Sequence, residues 1–238
     1  MVKQLKLGDI AVDVVLKDIK NVHLSVYPPT GRVRISAPER MNLDTIRIFA
    51  ISKLSWIKRQ QRKLQEQERE TPREYLDRES HHVWGKRYLL KVVEERVAAG
   101  VELAHSKMIL RVRPGTDEEA RESIVDRWYR EQVRAAVPDL ISKWEPRVGV
   151  KLERVFVQRM KTKWGSCNAG AHSIRLNTDL AKKPRECLEY ILVHEMVHML
   201  ERTHNARFVA LMDHLMPHWQ ARREQLNRWP LRHEEWAY

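Results

Sequence analysis

Residues 194–198 read His-Glu-Met-Val-His. Histidines four apart on a helix stand about one turn from each other on one face, so both imidazoles can reach a single ion. Zinc takes imidazole nitrogen, and a catalytic zinc site keeps one position open for water. The glutamate beside the first histidine can take a proton from that water as it attacks a carbonyl polarised by the ion. His194 and His198 are therefore expected to bind zinc, with Glu195 as general base. The competing reading is a solvated helix face that happens to carry two histidines. Against it, the flanks Ile191-Leu192-Val193 and Met196-Val197 are apolar, and polar groups on a buried helix need a partner.

A third ligand must come from elsewhere. His204 lies six residues beyond His198. An unbroken helix would turn about 600° over that distance and aim His204 roughly 120° off the ligand face. A helix break between Met199 and Thr203 removes the conflict. Asn205 suits the N-cap of a following helix that buries Phe208, Leu211, Met212 and Leu215. His214 and His218 are rivals, also four apart, but Pro217 between them disfavours a shared regular face.

The elements that position these residues are readable in outline. Val22–Tyr27 and Arg32–Ser36 flank Pro28-Pro29-Thr30-Gly31 as a hairpin. Asn42 caps one long helix through Ile46, Phe49, Leu54 and Ile57 that continues to Glu66. Strands are expected over Val83–Val93 and Met108–Arg113, and Thr116 with Glu119 forms a capping box for a helix towards Val137. Pro138 starts or kinks the next segment, which reaches Trp144. Glu153–Met160 and Ser173–Asn177 read as two strands around Gly165 and Gly170, and Pro184 opens the helix that carries the motif. No internal repeat is visible. The expectation is an α+β protein: a β-rich N-terminal region with one long helix over 1–115, then a mostly helical catalytic domain with a small sheet over 116–238. Ser173–Asn177 is expected to border the cleft with one free edge, where an extended peptide would pair.

Composition narrows the class. A chain of 238 residues can bury a substantial core. Charged residues make up 32%, and no run approaches the roughly 18 apolar residues of a membrane span. The opening residues lack the apolar run of a secretory signal, and two cysteines, Cys167 and Cys187, make no disulfide framework. A cytoplasmic protein is expected. The net charge of +12 is shared by both parts of the chain and is compatible with a polyanion such as nucleic acid, or with a plain basic surface.

Several motifs together resemble a known family. Lys163-Trp164-Gly165-Ser166-Cys167, Leu176-Asn177, the His194-Glu195-x-x-His198-x5-His204 pattern, Phe208 and Pro217-x-Trp219 are similar to the YgjP-like metallopeptidases, zinc proteases related to the WLM and SprT-like groups. Trp56-Ile57 and Gly85-Lys86-Arg87-Tyr88 extend the likeness upstream. The resemblance implies a small gluzincin-like catalytic domain, protein or peptide substrates, His194, His198 and His204 as zinc ligands and Glu195 as base. Near the third ligand the chain has Thr203 and Asn205 where the family usually has Asn and Ser, and Val209 where a Trp is common.

Trp164 could stack on substrate and Cys167 could be a fourth ligand; packing at the end of a hairpin is the competing role for both. His172, Tyr190, His214 and His218 are candidates for stabilising the oxyanion. The reading is a zinc metallopeptidase. The alternative is a nucleic-acid-associated module using the basic surface, with or without proteolysis of bound proteins; a zinc-stabilised structural domain is a third.

Overall fold

The structure, a computed structural model, describes residues 2–27, 31–66, 73–160 and 163–228. The chain divides between residues 71 and 72 into two units, each with its own core.

In the first unit, strands β1 (Val2–Leu7), β2 (Ile10–Lys17), β3 (His23–Tyr27) and β4 (Arg32–Pro38) form a sheet of order β1-β2-β4-β3. The outer pairs are antiparallel and the central β2–β4 pair is parallel. The expected hairpin is β3–β4, although residues 28–30 of its turn lie outside the described residues. Alternation places Val12, Val14, Val33 and Ile35 on one fully buried face. Ile46, Ala50 and Ile57 from two helices share that core. Asn42 caps the first, its side chain accepting a bond from Thr45 N at 2.8 Å. The single long helix expected here is two, α1 (Leu43–Ser52) and α2 (Leu54–Glu66). The Ser52 hydroxyl donates to the Phe49 carbonyl at 2.7 Å, and Lys53 N–H turns to the Ala50 carbonyl. A side chain competing for a helical carbonyl breaks the ladder there.

The second unit opens with β5 (Ser80–Val83), β6 (Lys86–Glu94), β7 (Gly100–Ala104) and β8 (Lys107–Val112), ordered β5-β6-β8-β7. Its central β6–β8 pair is again parallel and the outer pairs antiparallel. The two units thus repeat one sheet topology, which no sequence repeat discloses. Trp84 and Gly85 make the two-residue β5–β6 turn, both at positive φ (49° and 78°). This is the left-handed pair that tight hairpins require.

The long helix α3 (Glu118–Val148) follows. Its cap is Asp117, whose side chain accepts from Ala120 N at 2.9 Å; Thr116, the expected cap, bonds back to the Arg113 carbonyl instead. The helix runs unbroken through Pro138 and Pro146. Both prolines are exposed, so the carbonyls they leave unpaired face water, while Val125, Tyr129, Val133, Val137, Trp144 and Val148 keep one stripe buried.

A three-stranded sheet of β9 (Arg154–Gln158), β10 (Gly165–Asn168) and β11 (Ser173–Asn177) comes next, then α4 (Arg185–Val197), α5 (Ala206–Leu215) and α6 (Trp219–Arg228). Its order is β10-β11-β9. Ser173–Asn177 therefore lies in the middle, antiparallel to β10 and parallel to β9, with both edges occupied. The expectation of a free edge on this strand fails. The edges are β9 and β10, and β10 is absent from the sequence reading because Gly-Ser-Cys-Asn carries no apolar alternation.

Val83, Leu90, Met108, Leu110 and Val112 share one core with Val125, Tyr129, Leu180 and Leu192. The strands of 80–112 have an apolar face that α3 covers, so a change of secondary structure at 115 is no change of core. Among the described residues no helix is long and apolar enough to cross a membrane.

Candidate active site

Helix α4 is buried along Leu188, Ile191, Leu192, Val193, Met196 and Val197, which fixes its roll about its axis. His194 and His198 leave that buried surface on the same side, His198 standing as the C-cap at φ −65°, ψ −13°. The helix ends at once. Asn205 then caps α5, its side chain accepting from Phe208 N at 3.0 Å. The turn between the helices carries His204 back over the first histidine, so that the two Nε2 atoms are 3.0 Å apart. One nitrogen from each of His194, His198 and His204 lies within 4.8 Å of the others.

Phe208 is the floor of this cluster. Its ring centroid lies 5.0, 4.8 and 4.7 Å from those of His194, His198 and His204, and the side chain is fully buried. Packing against one rigid ring sets the three imidazoles before any ion enters. The His198 Nδ1–H donates to the Glu201 carbonyl at 3.0 Å, which leaves its Nε2 as a lone-pair donor. Burial, then the neighbouring His198 and His204 and the Arg223 charge, pushes the His194 pKa down to about 3. Burial, His198 and Arg223 lower that of His204 in turn. Neutral imidazoles with converging nitrogens are the donor set zinc accepts, and one shared cation satisfies all three where a hydrogen bond satisfies two. The residues present fit the metal.

Glu195 faces the same groove but is only 6% exposed. Burial raises its carboxyl to about 7, against the pull of Lys163. Gly165, on β10, explains how a strand comes so near. A Cβ there would stand 2.8 Å from Glu195 Cγ, Glu195 Oε1 and Ile191 Cγ2. Sequence reading places this glycine at the joint between two strands; only its contact with α4 reveals why it is Gly.

The groove, about 820 Å³, is walled by β10 and the turn after it and floored by α4. Trp164 lines it, and the buried Lys183 ammonium lies 5.6 Å from the centre of the indole. Cys167 also lines it but stands outside the three-histidine cluster. Its thiol is pushed up to about 11, first by burial and then by the Glu195 charge, which disfavours the thiolate a metal would need. None of His172, Tyr190, His214 and His218 lines the groove. Tyr190 is buried and stacked on Trp219, and His172 bonds the Lys151 carbonyl.

Asn177 is a second residue whose job only the structure discloses. Its amide donates to the Met160 and Lys163 carbonyls at 2.7 and 2.9 Å, and its oxygen accepts from Asp179 N at 3.1 Å. It ties the connection between β9 and β10 to β11, holding Trp164 and Gly165 in the wall. Asn177→Ala leaves buried groups unpaired and is expected to cost about 1–3 kcal/mol of stability, read from denaturant unfolding. A melt unchanged from wild type would show that the clamp is dispensable.

Helix α4 is tied to the rest of the unit at its start and along its first half. Trp84 N donates to the Ala181 carbonyl at 2.7 Å and Gly85 N to Lys182 at 3.3 Å. Gly85 also abuts Pro184, the N-cap of α4, and the Arg185 guanidinium lies over Trp84. Glu189 of α4 accepts from Trp144 Nε1 of α3 at 2.8 Å.

No curated protein matches the sequence. Among solved structures, the zymogen of abylysin from Pyrococcus abyssi is 20% identical, covering 38% of this chain and 90% of that one, with a TM-score of 0.36. The zymogen of jannalysin from Methanocaldococcus jannaschii is 18% identical over 38% and 87%, with a TM-score of 0.35. The family model for the YgjP-like metallopeptidase domain matches residues 20–229. On that match, which spans most of its length, the chain belongs to the YgjP-like metallopeptidases.

Proposed function

We propose that this metallopeptidase is zinc-dependent, with His194, His198 and His204 as ligands and Glu195 as the general base. The observation that best supports this is the convergence of three imidazole nitrogens within 4.8 Å beside a buried carboxyl in one groove. Zinc, when bound, polarises the scissile carbonyl and acidifies the attacking water. The protein's own residues supply the rest. Glu195 takes the proton of that water and returns it to the departing amine nitrogen. A carboxyl that burial raises above its ordinary range holds a proton more readily than an exposed one, which suits it to both transfers. Among the described residues no strand pairs with the outer edge of β10, whose residues line the groove. A substrate in extended conformation pairs its backbone there, which holds the reacting carbonyl without demanding particular side chains.

Metal analysis of the purified protein, paired with digestion of a peptide library, tests this reading. Stoichiometric zinc is expected, with cleavage that stops on chelation and returns with added zinc. Cleavage that persists in chelator would exclude it.

Gly165 supplies a sharper check. In Gly165→Ala the new methyl must displace the Glu195 carboxyl or the strand itself. Misplacement on the scale of an ångström costs about a hundredfold in rate. The expected result is a loss of kcat of that order with zinc still bound. Near-normal turnover would show that Glu195 need not sit where β10 holds it.

A further inference from the structure

The groove is ringed by cations. Lys163 stands just before β10, Arg175 is the middle residue of β11, and Arg202 sits in the turn between His198 and His204. All three are exposed and line the groove, and the only carboxylate among the described lining residues is the buried Glu195. Among the described residues none of the three forms an ion pair. Arg175 lies over the Phe156 ring at 5.7 Å, an aromatic contact that leaves its charge uncompensated. Some cations elsewhere on the surface do have acidic partners. Arg111 meets Glu102, Lys91 meets Asp77, and Arg159 meets Glu122 and Asp126. Unpaired cations around a concave site focus a positive potential on whatever enters it.

We propose that the groove selects extended peptide segments carrying Asp or Glu beside the bond to be hydrolysed, recognised by Lys163, Arg175 and Arg202. The inference rests on the peptidase reading above and adds the substrate class to it. Peptide is favoured over nucleic acid by the wall between these cations. Among the described residues Gly165–Asn168 has an unpaired strand edge, whose amide and carbonyl groups match another peptide backbone and have no counterpart in a sugar-phosphate chain. Lys163 directly precedes that strand, Arg175 lies on the strand behind it and Arg202 lines the same groove, where the side chains of a paired segment come within reach.

The test uses zinc-loaded full-length protein carrying Glu195→Gln and two labelled peptides of equal length, with Glu or Lys flanking the same central residues. By fluorescence anisotropy at low salt, the acidic peptide is expected to bind on the order of tenfold more tightly, and the gap should narrow as salt screens it. Adding Arg175→Glu and Arg202→Glu together should reverse the preference; a gentler pair, Arg175→Gln and Arg202→Gln, should erase it. Equal binding of the two peptides, or a preference that survives charge reversal, overturns the proposal. So does a short oligonucleotide that displaces the acidic peptide and binds more tightly than it does. Digestion of a peptide library by the wild-type protein separates the two layers. Cleavage blind to charge sinks this proposal and leaves the peptidase reading standing. Charge-selective binding that the double substitution reverses, without any cleavage, supports this proposal and removes the peptidase reading.

Discussion

Glu195→Gln is expected to retain zinc and lose hydrolysis by about 10²–10⁴-fold, the range over which a positioned general base acts. Gln keeps the shape of the side chain, and its neutral amide suits a site where burial already penalises the carboxylate. The fold and the histidine cluster should therefore survive, and thermal melting should match wild type or exceed it slightly. What is lost is the capacity to take a proton. Single-turnover cleavage of a verified substrate, with zinc content measured on the same sample, decides the matter. Turnover at the wild-type rate would falsify the assignment of Glu195 as base.

The second large effect belongs to His204. Its Nε2 stands 3.0 Å from that of His194, whereas His214 and His218 stand outside the cluster. Removing a group that only supports a ligand costs 10–100-fold in metal affinity, so removing a ligand should cost more than about 100-fold. His204→Ala is expected to emerge from purification largely without zinc. His214→Ala and His218→Ala should keep it, because neither side chain reaches the groove. Elemental analysis of the three variants side by side gives the comparison. Zinc retained in His204→Ala and lost in His214→Ala or His218→Ala would overturn the ligand set.

Much of the site was legible because it is local. The spacing of His194 and His198, the need for a break before His204, and the cap at Asn205 all follow from helix geometry over a dozen residues. The walls were not legible, because they depend on contacts between distant segments. Gly-Ser-Cys-Asn has little strand propensity of its own and becomes β10 by pairing with β11. The parallel register of Arg154–Gln158 on Ser173–Asn177 likewise leaves no periodic trace, so the central place of β11 was missed. Pro138 suggested an interruption, yet the tertiary contacts of Val133, Val137, Trp144 and Val148 carry α3 past it and past Pro146. In the first unit the opposite occurred: a smooth apolar pattern concealed a break at Lys53 that a single hydroxyl on Ser52 marks.

The grip of the β5–β6 turn on the start of α4 bears on how small a working peptidase cut from this chain could be. A fragment beginning at residue 116 would keep every proposed ligand and the base. It would also strip Val125 and Tyr129 of the strands that cover them, free the Tyr129 hydroxyl from the His82 carbonyl, and leave Pro184 and Arg185 without the turn they rest on. Exposed apolar strand partners of this kind turn a trimmed enzyme into an aggregating one. Residues 73–115 therefore travel with the active site in any transplant, fusion or circular permutation, and a new terminus belongs before residue 73 and not in the Pro114-Gly115 turn that tempts the eye.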